Sequence, residues 1–325
     1  MPGKILVTPR SVTRSGHPAL EKLRAAGWEV VFCRPGAQPD EAELRALLTG
    51  CQGYLAGVEP VTAAVLEAAP QLRAISRNGT GTDNIDLAAA ARLGIQVVPA
   101  EGANARGVAE LTLGLILSLA RGIPASDAAL KCGEWSRPSG GCELEGKTLG
   151  LIGCGRVGQG VATLALAFGM KVMAYDPFPP ATLPGGDGFQ LVPLERAVEE
   201  ADFLTLHCPP PADGRPVLGA TRLGSMKQGA WLINTARHDL IEVEAVLAAL
   251  DSGALAGLAT DVFDTEPPTD ARLARHPKVI ATPHLGGFTK ESIDRAMHAA
   301  VDNLLAALSV AQTSTTTSQR EDGSL

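Results

Sequence analysis

Thr148-Leu149-Gly150-Leu151-Ile152-Gly153-Cys154-Gly155-Arg156-Val157-Gly158 is the stretch that decides the fold. Thr148–Ile152 is a short apolar run of strand type, and an apolar-periodic helix follows through Val161, Leu164, Ala165 and Phe168. Each glycine between them has a steric reason. Gly153 makes the tight turn, Gly155 lets a pyrophosphate approach the backbone, and Gly158 lets helix and strand pack closely. The helix start offers free N–H groups and a positive dipole end to phosphate, which places Arg156 and Val157 at the same contact. A lone glycine motif is weak evidence, so its flanks matter. An acid, Asp176, stands at the end of the next strand-like run, 21 positions after Gly155. That matches the roughly 20-residue spacing of a carboxylate holding ribose hydroxyls. Asp176 repels a 2′-phosphate, and Pro177-Phe178-Pro179-Pro180 supplies no Arg to bind one, so NAD is expected over NADP.

Outward from this turn, β-type runs alternate with amphipathic helical runs, the signature of parallel α/β architecture. Strands are expected at 148–152, 171–175, 203–207, 230–234, 256–261 and 279–282, six in all, as a dinucleotide-binding sheet requires. Upstream, shorter runs at 4–8, 28–32, 53–56, 73–77 and 95–98 alternate with helices near 18–26, 40–49, 62–69 and 86–93. The expectation is two doubly wound parallel-sheet domains, with a Rossmann NAD-binding domain (105–288) inserted into a flavodoxin-like substrate domain (1–104 and 289–311). A helix at 108–120 links them, and a helix at 290–308 returns to the first. The Ser/Thr-rich residues 312–325 are expected to be disordered.

The bulk numbers exclude several classes. A chain of 325 residues exceeds the ~250–300 at which a single core stops growing. A net charge of −7 and only 4% aromatic residues argue against nucleic-acid binding, which needs a basic footprint and stacking faces. The longest apolar run, 111–120, is broken by Thr112, Gly114 and Ser118, and falls short of the about 20 residues that cross a membrane. Residues 4–8 read as a strand, with no signal-peptide pattern. Cys33, Cys51, Cys132, Cys142, Cys154 and Cys208 form no CxxC pair, so reduced thiols in a cytoplasmic protein are expected, Cys154 and Cys208 being small buried fillers. No His/Cys/Asp/Glu cluster has metal-ligand spacing, so no metal is expected, and His17, His276 and His298 read as surface or packing residues.

Three more segments follow expected strands, where open α/β sheets place their ligands. They are Asn234-Thr235-Ala236-Arg237, Asp261 to Pro268, and Thr282-Pro283-His284-Leu285-Gly286-Gly287. Interconverting an alcohol and a ketone beside a carboxylate needs a proton-exchanging group of near-neutral pKa and a fixed cation. His284 suits the first role. Arg237 can grip a carboxylate with two parallel hydrogen bonds. Glu266, on the far ring nitrogen, would set the tautomer of His284 and stabilise its imidazolium form.

These motifs resemble the D-isomer-specific 2-hydroxyacid dehydrogenase family, above all its phosphoglycerate-dehydrogenase-like branch. The resemblance spans about residues 4–308 and includes Asn78-Gly79-Thr80-Gly81-Thr82-Asp83-Asn84-Ile85-Asp86 and Val108-Ala109-Glu110-Leu111-Thr112. It implies that Arg237, Glu266 and His284 are catalytic, and that backbone N–H groups around Thr80 and Gly81 receive the substrate carboxylate; Arg77 and Asn78, next to that loop, are further candidate substrate contacts. It further implies that Thr112, Asp176, Pro177, His207, Pro209, Thr235, Ala236 and Asp261 join the glycine turn around NAD. Family members are commonly homodimers that exchange contacts through the helix at 108–121. The implied activity is hydride transfer between nicotinamide and C2 of a small 2-hydroxy or 2-oxo acid, held in an interdomain cleft.

Glu rather than Gln before the histidine favours hydroxyacid over formate chemistry; a phosphite-type dehydrogenase and an NAD-sensing co-repressor remain as alternatives. Two departures stand out. His238 occupies a position where relatives carry Gly, and reads as a solvent-facing loop residue or as a second polar group toward substrate. The loop Ala56-Gly57-Val58-Glu59-Pro60 lacks the Arg of relatives that use 3-phosphoglycerate and carries the acidic Glu59, which speaks against a phosphorylated substrate. Arg77 and Arg106 could steer an anion, although surface ion pairing is the common fate of Arg. His207 reads as a cofactor-side wall residue ahead of a second acid/base.

Overall fold

The structure is a computed structural model that describes residues 3–135 and 140–321. The chain divides into two compact units, Met1–Asn104 with Lys290–Leu325, and Ala105–Thr289.

In the first unit, β1 (Lys4–Val7), β2 (Glu29–Phe32), β3 (Cys51–Ala56), β4 (Ala74–Arg77) and β5 (Gln96–Pro99) form one parallel sheet. Its order is β2-β1-β3-β4-β5, the flavodoxin-like arrangement. Side chains alternate across the pleat, so the strands feed two cores. Ile5, Val7 and Leu55 pack on one face with Leu20, Leu23, Met297, Val301 and Leu304. Leu6, Tyr54 and Ile75 pack on the other with Leu44, Val65, Leu66 and Ala89. Burying each such side chain contributes roughly 1.5–3 kcal/mol. The covering helices start where the sequence caps them. Asp40 accepts from Glu43 N at 2.8 Å and Asp86 from Ala89 N at 2.8 Å, each such cap being worth ~1 kcal/mol.

The final helix, Lys290–Glu321, seats Met297, Ala300, Val301, Leu304 and Leu308 on the first sheet. It continues through residues 312–321, where composition led us to expect no structure. Extending a docked helix adds one hydrogen bond per residue fixed, without a new nucleus, so polar residues can propagate it. Residues 322–325 lie outside the described residues.

In the second unit seven strands, not six, form the parallel sheet: β6 (Thr148–Ile152), β7 (Lys171–Tyr175), β8 (Phe189–Leu191), β9 (Phe203–Leu206), β10 (Ala230–Asn234), β11 (Leu255–Thr260) and β12 (Val279–Ala281). The order is β12-β11-β10-β9-β6-β7-β8. The strand missed from the sequence, β8, has three residues, sits at the edge and is largely solvent-exposed, so no apolar period marks it. The chain reverses its direction of travel across the sheet beside β6, and open α/β sheets bind ligands at the carboxyl ends of strands at such a switch point. The helix Ala105–Arg121 packs inside this unit, burying Ala109, Leu113, Ile116 and Ala120 with Leu149, Phe203, Ile233 and Ala259. Among the described residues no single helix is long and apolar enough to cross a membrane.

Candidate active site

The glycine turn lies at the carboxyl end of β6 and opens the helix Arg156–Ala167, whose first two residues are Arg156 and Val157. Gly153 has φ +96°, and a Cβ there would stand 2.5 Å from the carbonyl carbon of His207. A Cβ on Gly158 would stand 2.0 Å from the carbonyl oxygen of Gly153. Both positions therefore exclude any side chain. Gly155 differs: its φ is −67° and a Cβ there would meet nothing within 4 Å. The open space over Gly155 is what a phosphate group approaching the helix start would require.

Asp176 follows β7 and turns back to this loop. One carboxylate oxygen accepts from Cys154 N at 2.6 Å, and the other from Phe178 N, just past Pro177, at 2.8 Å. Lone pairs remain for hydroxyl donors. His207 follows β9, Pro209 lies two residues on, and the imidazole Nε2 meets Thr205 Oγ1 at 2.9 Å. Its Nδ1 is buried with no hydrogen-bond partner, and burial pushes its pKa down to about 3. The ring is thus neutral at ordinary pH, which does not suit a proton-exchanging group. Burial pushes the thiols of Cys154 and Cys208 up to about 11, so neither is a thiolate near neutrality. An open cradle, a carboxylate beside it and an orphaned buried nitrogen fit a dinucleotide.

Arg237 follows β10, Asp261 follows β11 and His284 lies three residues after β12, so neighbouring strands deliver all three to one sheet edge. Asn234, fully buried, braces the first of these turns. It accepts from Ala236 N at 3.1 Å and donates to the carbonyl of Arg237 at 2.9 Å. Arg237 Nη1 donates to the carbonyl of Ala236 at 2.8 Å. Thr112, fully buried in its helix, donates to Val108 O at 2.8 Å and meets Thr235 Oγ1 at 2.9 Å. It therefore orients Thr235 from within the core.

His284 Nδ1 lies 2.7 Å and 2.9 Å from the two oxygens of Glu266. This pairing engages one ring nitrogen and leaves Nε2 for proton exchange. His238 opens the short 3₁₀ turn His238–Leu240. It is half-buried rather than solvent-facing, and its Nδ1 is buried with no hydrogen-bond partner.

In the first unit, Arg77 ends β4 and donates from Nη1 to the carbonyl of Asn78 at 2.7 Å. Its guanidinium lies across Gly79, which has φ +147°. Asn78 N donates to Ala56 O at 2.9 Å, and Thr80 donates to Asn104 Oδ1 at 2.9 Å. The loop 78–81, which carries Gly81, is thus held by its backbone at Asn78 and by the side chain of Thr80. In the second unit, Arg106 pairs with Glu110 one helical turn on, the ordinary surface fate.

Sequence reasoning misread Glu59. It is buried, and its carboxylate accepts from Thr8 Oγ1, Tyr54 OH and, at 2.8 Å, from Gly57 N. Its charge points into the first unit rather than over the loop surface. Burial, and then the Glu59 charge, hold the Tyr54 hydroxyl well above its ordinary pKa. Nothing in the sequence marks the convergence of His17 with Asp294 and His298, since His17 lies at the other end of the chain from that pair. Ala19 N donates to His17 Nδ1 at 3.2 Å, which leaves the proton on Nε2, 3.3 Å from Asp294. Such a ring donates to a carboxylate and is not set to bind a metal.

Residues 113–286 match the D-isomer specific 2-hydroxyacid dehydrogenase, NAD binding domain, and NAD is the cofactor of that domain. D-3-phosphoglycerate dehydrogenase of Homo sapiens is 43% identical over 255 residues, 78% of this chain and 48% of the relative. The chain thus spans about half the length of such curated relatives. Hydroxypyruvate reductase of Thermotoga maritima is 44% identical over 237 residues, 71% of this chain and 76% of the relative. The crystal structure of TT0316 protein from Thermus thermophilus superposes with a TM-score of 0.83 at 37% identity, covering 94% of this chain and 97% of that one. The chain belongs to the D-isomer specific 2-hydroxyacid dehydrogenase family.

Proposed function

We propose that this chain is an NAD-dependent 2-hydroxyacid dehydrogenase, and in reverse a 2-oxoacid reductase, acting on a small anionic acid. The observation that carries this reading is the His284–Glu266 pair at 2.7 Å, on the same sheet edge as Arg237. Arg237 grips the substrate carboxylate through its guanidinium. His284 takes the hydroxyl proton at Nε2 in oxidation and returns it in reduction. Glu266 keeps the proton on Nδ1 and stabilises the imidazolium while the proton is held. The chemistry that bound NAD would supply is a hydride acceptor or donor for C2.

The residues that would hold NAD are Gly153, Gly155, Arg156, Val157 and Gly158 at the phosphates and Asp176 with Pro177 at the ribose. His207, Pro209, Thr235 and Ala236 would line the remainder, with Thr112 behind Thr235. The loop 78–81, with Arg77, is assigned to the substrate carboxylate. A homodimer and a cytoplasmic setting belong to the same reading. The helix Ile123–Lys131 buries none of its residues and exposes Ile123 and Leu130, which supports an apolar partner surface. Six free cysteines match a reducing compartment.

The test is NADH consumption against a panel that includes glyoxylate, hydroxypyruvate and 3-phosphohydroxypyruvate, for wild type and His284→Ala side by side. Turnover on one or a few acids, lost in the variant, is expected. NADH binding without turnover on any acid, phosphite then being the next substrate to try, would overturn the reading.

A further inference from the structure

His284 is the only non-glycine residue with positive φ among the described residues, at +53°. A side-chain-bearing residue adopts this left-handed conformation at a cost, and keeps it only when its surroundings over-determine it. The surroundings here are one carboxylate. Asp261, 1% exposed, accepts at Oδ1 from Thr282 Oγ1 at 2.6 Å and from Leu285 N at 2.7 Å, and at Oδ2 from Gly286 N at 2.8 Å. These donors flank His284 on both sides. Asp261 is itself fixed, because its own N–H donates to the carbonyl of Asn234 at 3.0 Å. The loop approaches so closely that a Cβ at Gly286 would stand 3.2 Å from Asp261 Oδ2 and 3.1 Å from Val108 Cγ2.

We propose that Asp261 is a positioning residue, whose buried carboxylate ties down the loop on either side of His284 and so holds the imidazole on Glu266. The inference rests on the reading of His284 as the acid/base, and it gives Asp261 a task other than contact with NAD. A charged acceptor serves three donors better than a neutral one. An amide in its place would turn one oxygen into an NH₂ group facing an N–H or O–H donor.

The test is Asp261→Asn, with three readouts. The first is the low-field NMR signal of the His284 Nδ1 proton shared with Glu266, read without cofactor. The second is the Kd for NADH by fluorescence, and the third is kcat against KM. The expected result is loss or a marked shift of the NMR signal, a Kd within about twofold of wild type, and a kcat lower by about ten- to a hundredfold, as small misplacements of reacting groups produce. An unchanged signal with unchanged kcat overturns the proposal. So does a weakened NADH Kd with kcat retained at saturation, which would make Asp261 a cofactor contact. If Asp261→Asn fails to fold, Thr282→Val removes one of the three bonds. It should move the same signal and lower kcat a few-fold, with both restored in Thr282→Ser; no change in Thr282→Val overturns the proposal. Wild-type protein that turns over no acid would defeat the functional reading, while the NMR comparison still decides the role of Asp261.

Discussion

Replacing Gly155 and Gly158 by Ala, one at a time, should separate cofactor binding from folding. At Gly158 the new methyl would lie 2.0 Å from the carbonyl oxygen of Gly153, against a comfortable carbon–oxygen contact of about 3.3 Å. Strand β6 and its helix must therefore part by more than an ångström. The obstacle is backbone, so no side chain can swing aside. The helix buries Val161, Ala162 and Ala165 with Leu149, Leu151 and Val172, and that packing loosens. Overpacking of this kind costs about 3 kcal/mol at its upper end, and the better helix propensity of Ala offsets ~1 kcal/mol. The net loss is about 2 kcal/mol, or roughly 4–8 °C in Tm for a unit of this size. At Gly155 the backbone already has a φ any residue can adopt and nothing lies within 4 Å, so stability should change by less than ~1 kcal/mol. NADH affinity should nonetheless fall at least about tenfold, or about 1.4 kcal/mol, because the methyl fills the phosphate's place. Thermal unfolding and NADH fluorescence titration read the two effects. A Gly158→Ala protein with wild-type Tm, or a Gly155→Ala protein with wild-type NADH affinity, would refute the steric reasoning.

Glu266→Gln keeps an acceptor for His284 Nδ1 but removes the charge. We expect kcat to fall roughly ten- to a hundredfold with little change in KM, read from initial rates, since both side chains are partly exposed and solvent screens the pair. His207 carries a pH signature. Its pKa falls from 6.5 to about 3 on folding, so below pH 6.5 the unfolded chain gains a proton that the folded one refuses. Stability from this group is intact above pH 6.5 and is lost progressively toward pH 3, by roughly 2 kcal/mol at pH 5. Urea unfolding of His207→Gln at pH 7 and pH 5 should show a correspondingly smaller acid loss than wild type. Asp176→Ala should weaken NADH about tenfold while narrowing its preference over NADPH, as competition binding would show.

Local patterns were legible in the sequence, and convergent ones were not. The glycine turn with its strand, helix and Asp176 lies within a short stretch, so spacing and sterics sufficed. Glu266 and His284 could be paired because a carboxylate on the far ring nitrogen suits an imidazole proposed as acid/base. Strand β8 escaped because a three-residue exposed edge has no apolar face to betray it. Glu59 reads as a loop acid in the sequence because only its local donors, Tyr54 and Gly57, are near in the chain, while Thr8, just past β1, is brought to it by the sheet. The Asp261 clamp was hidden for the same reason: its donors lie 21 to 25 positions along the chain, and two of them are backbone N–H groups. The helix over residues 312–321 was not legible because composition ignores a docked helix already nucleated upstream.

Hydride transfer itself is tested most directly with NADH deuterated at C4 and a 2-oxo acid that the protein turns over. One deuterium should appear at C2 of the 2-hydroxy acid product, seen by mass spectrometry and by loss of the C2 proton signal in NMR. NADH consumed with no deuterium at C2 from either labelled face of the nicotinamide would contradict hydride transfer between these two carbons.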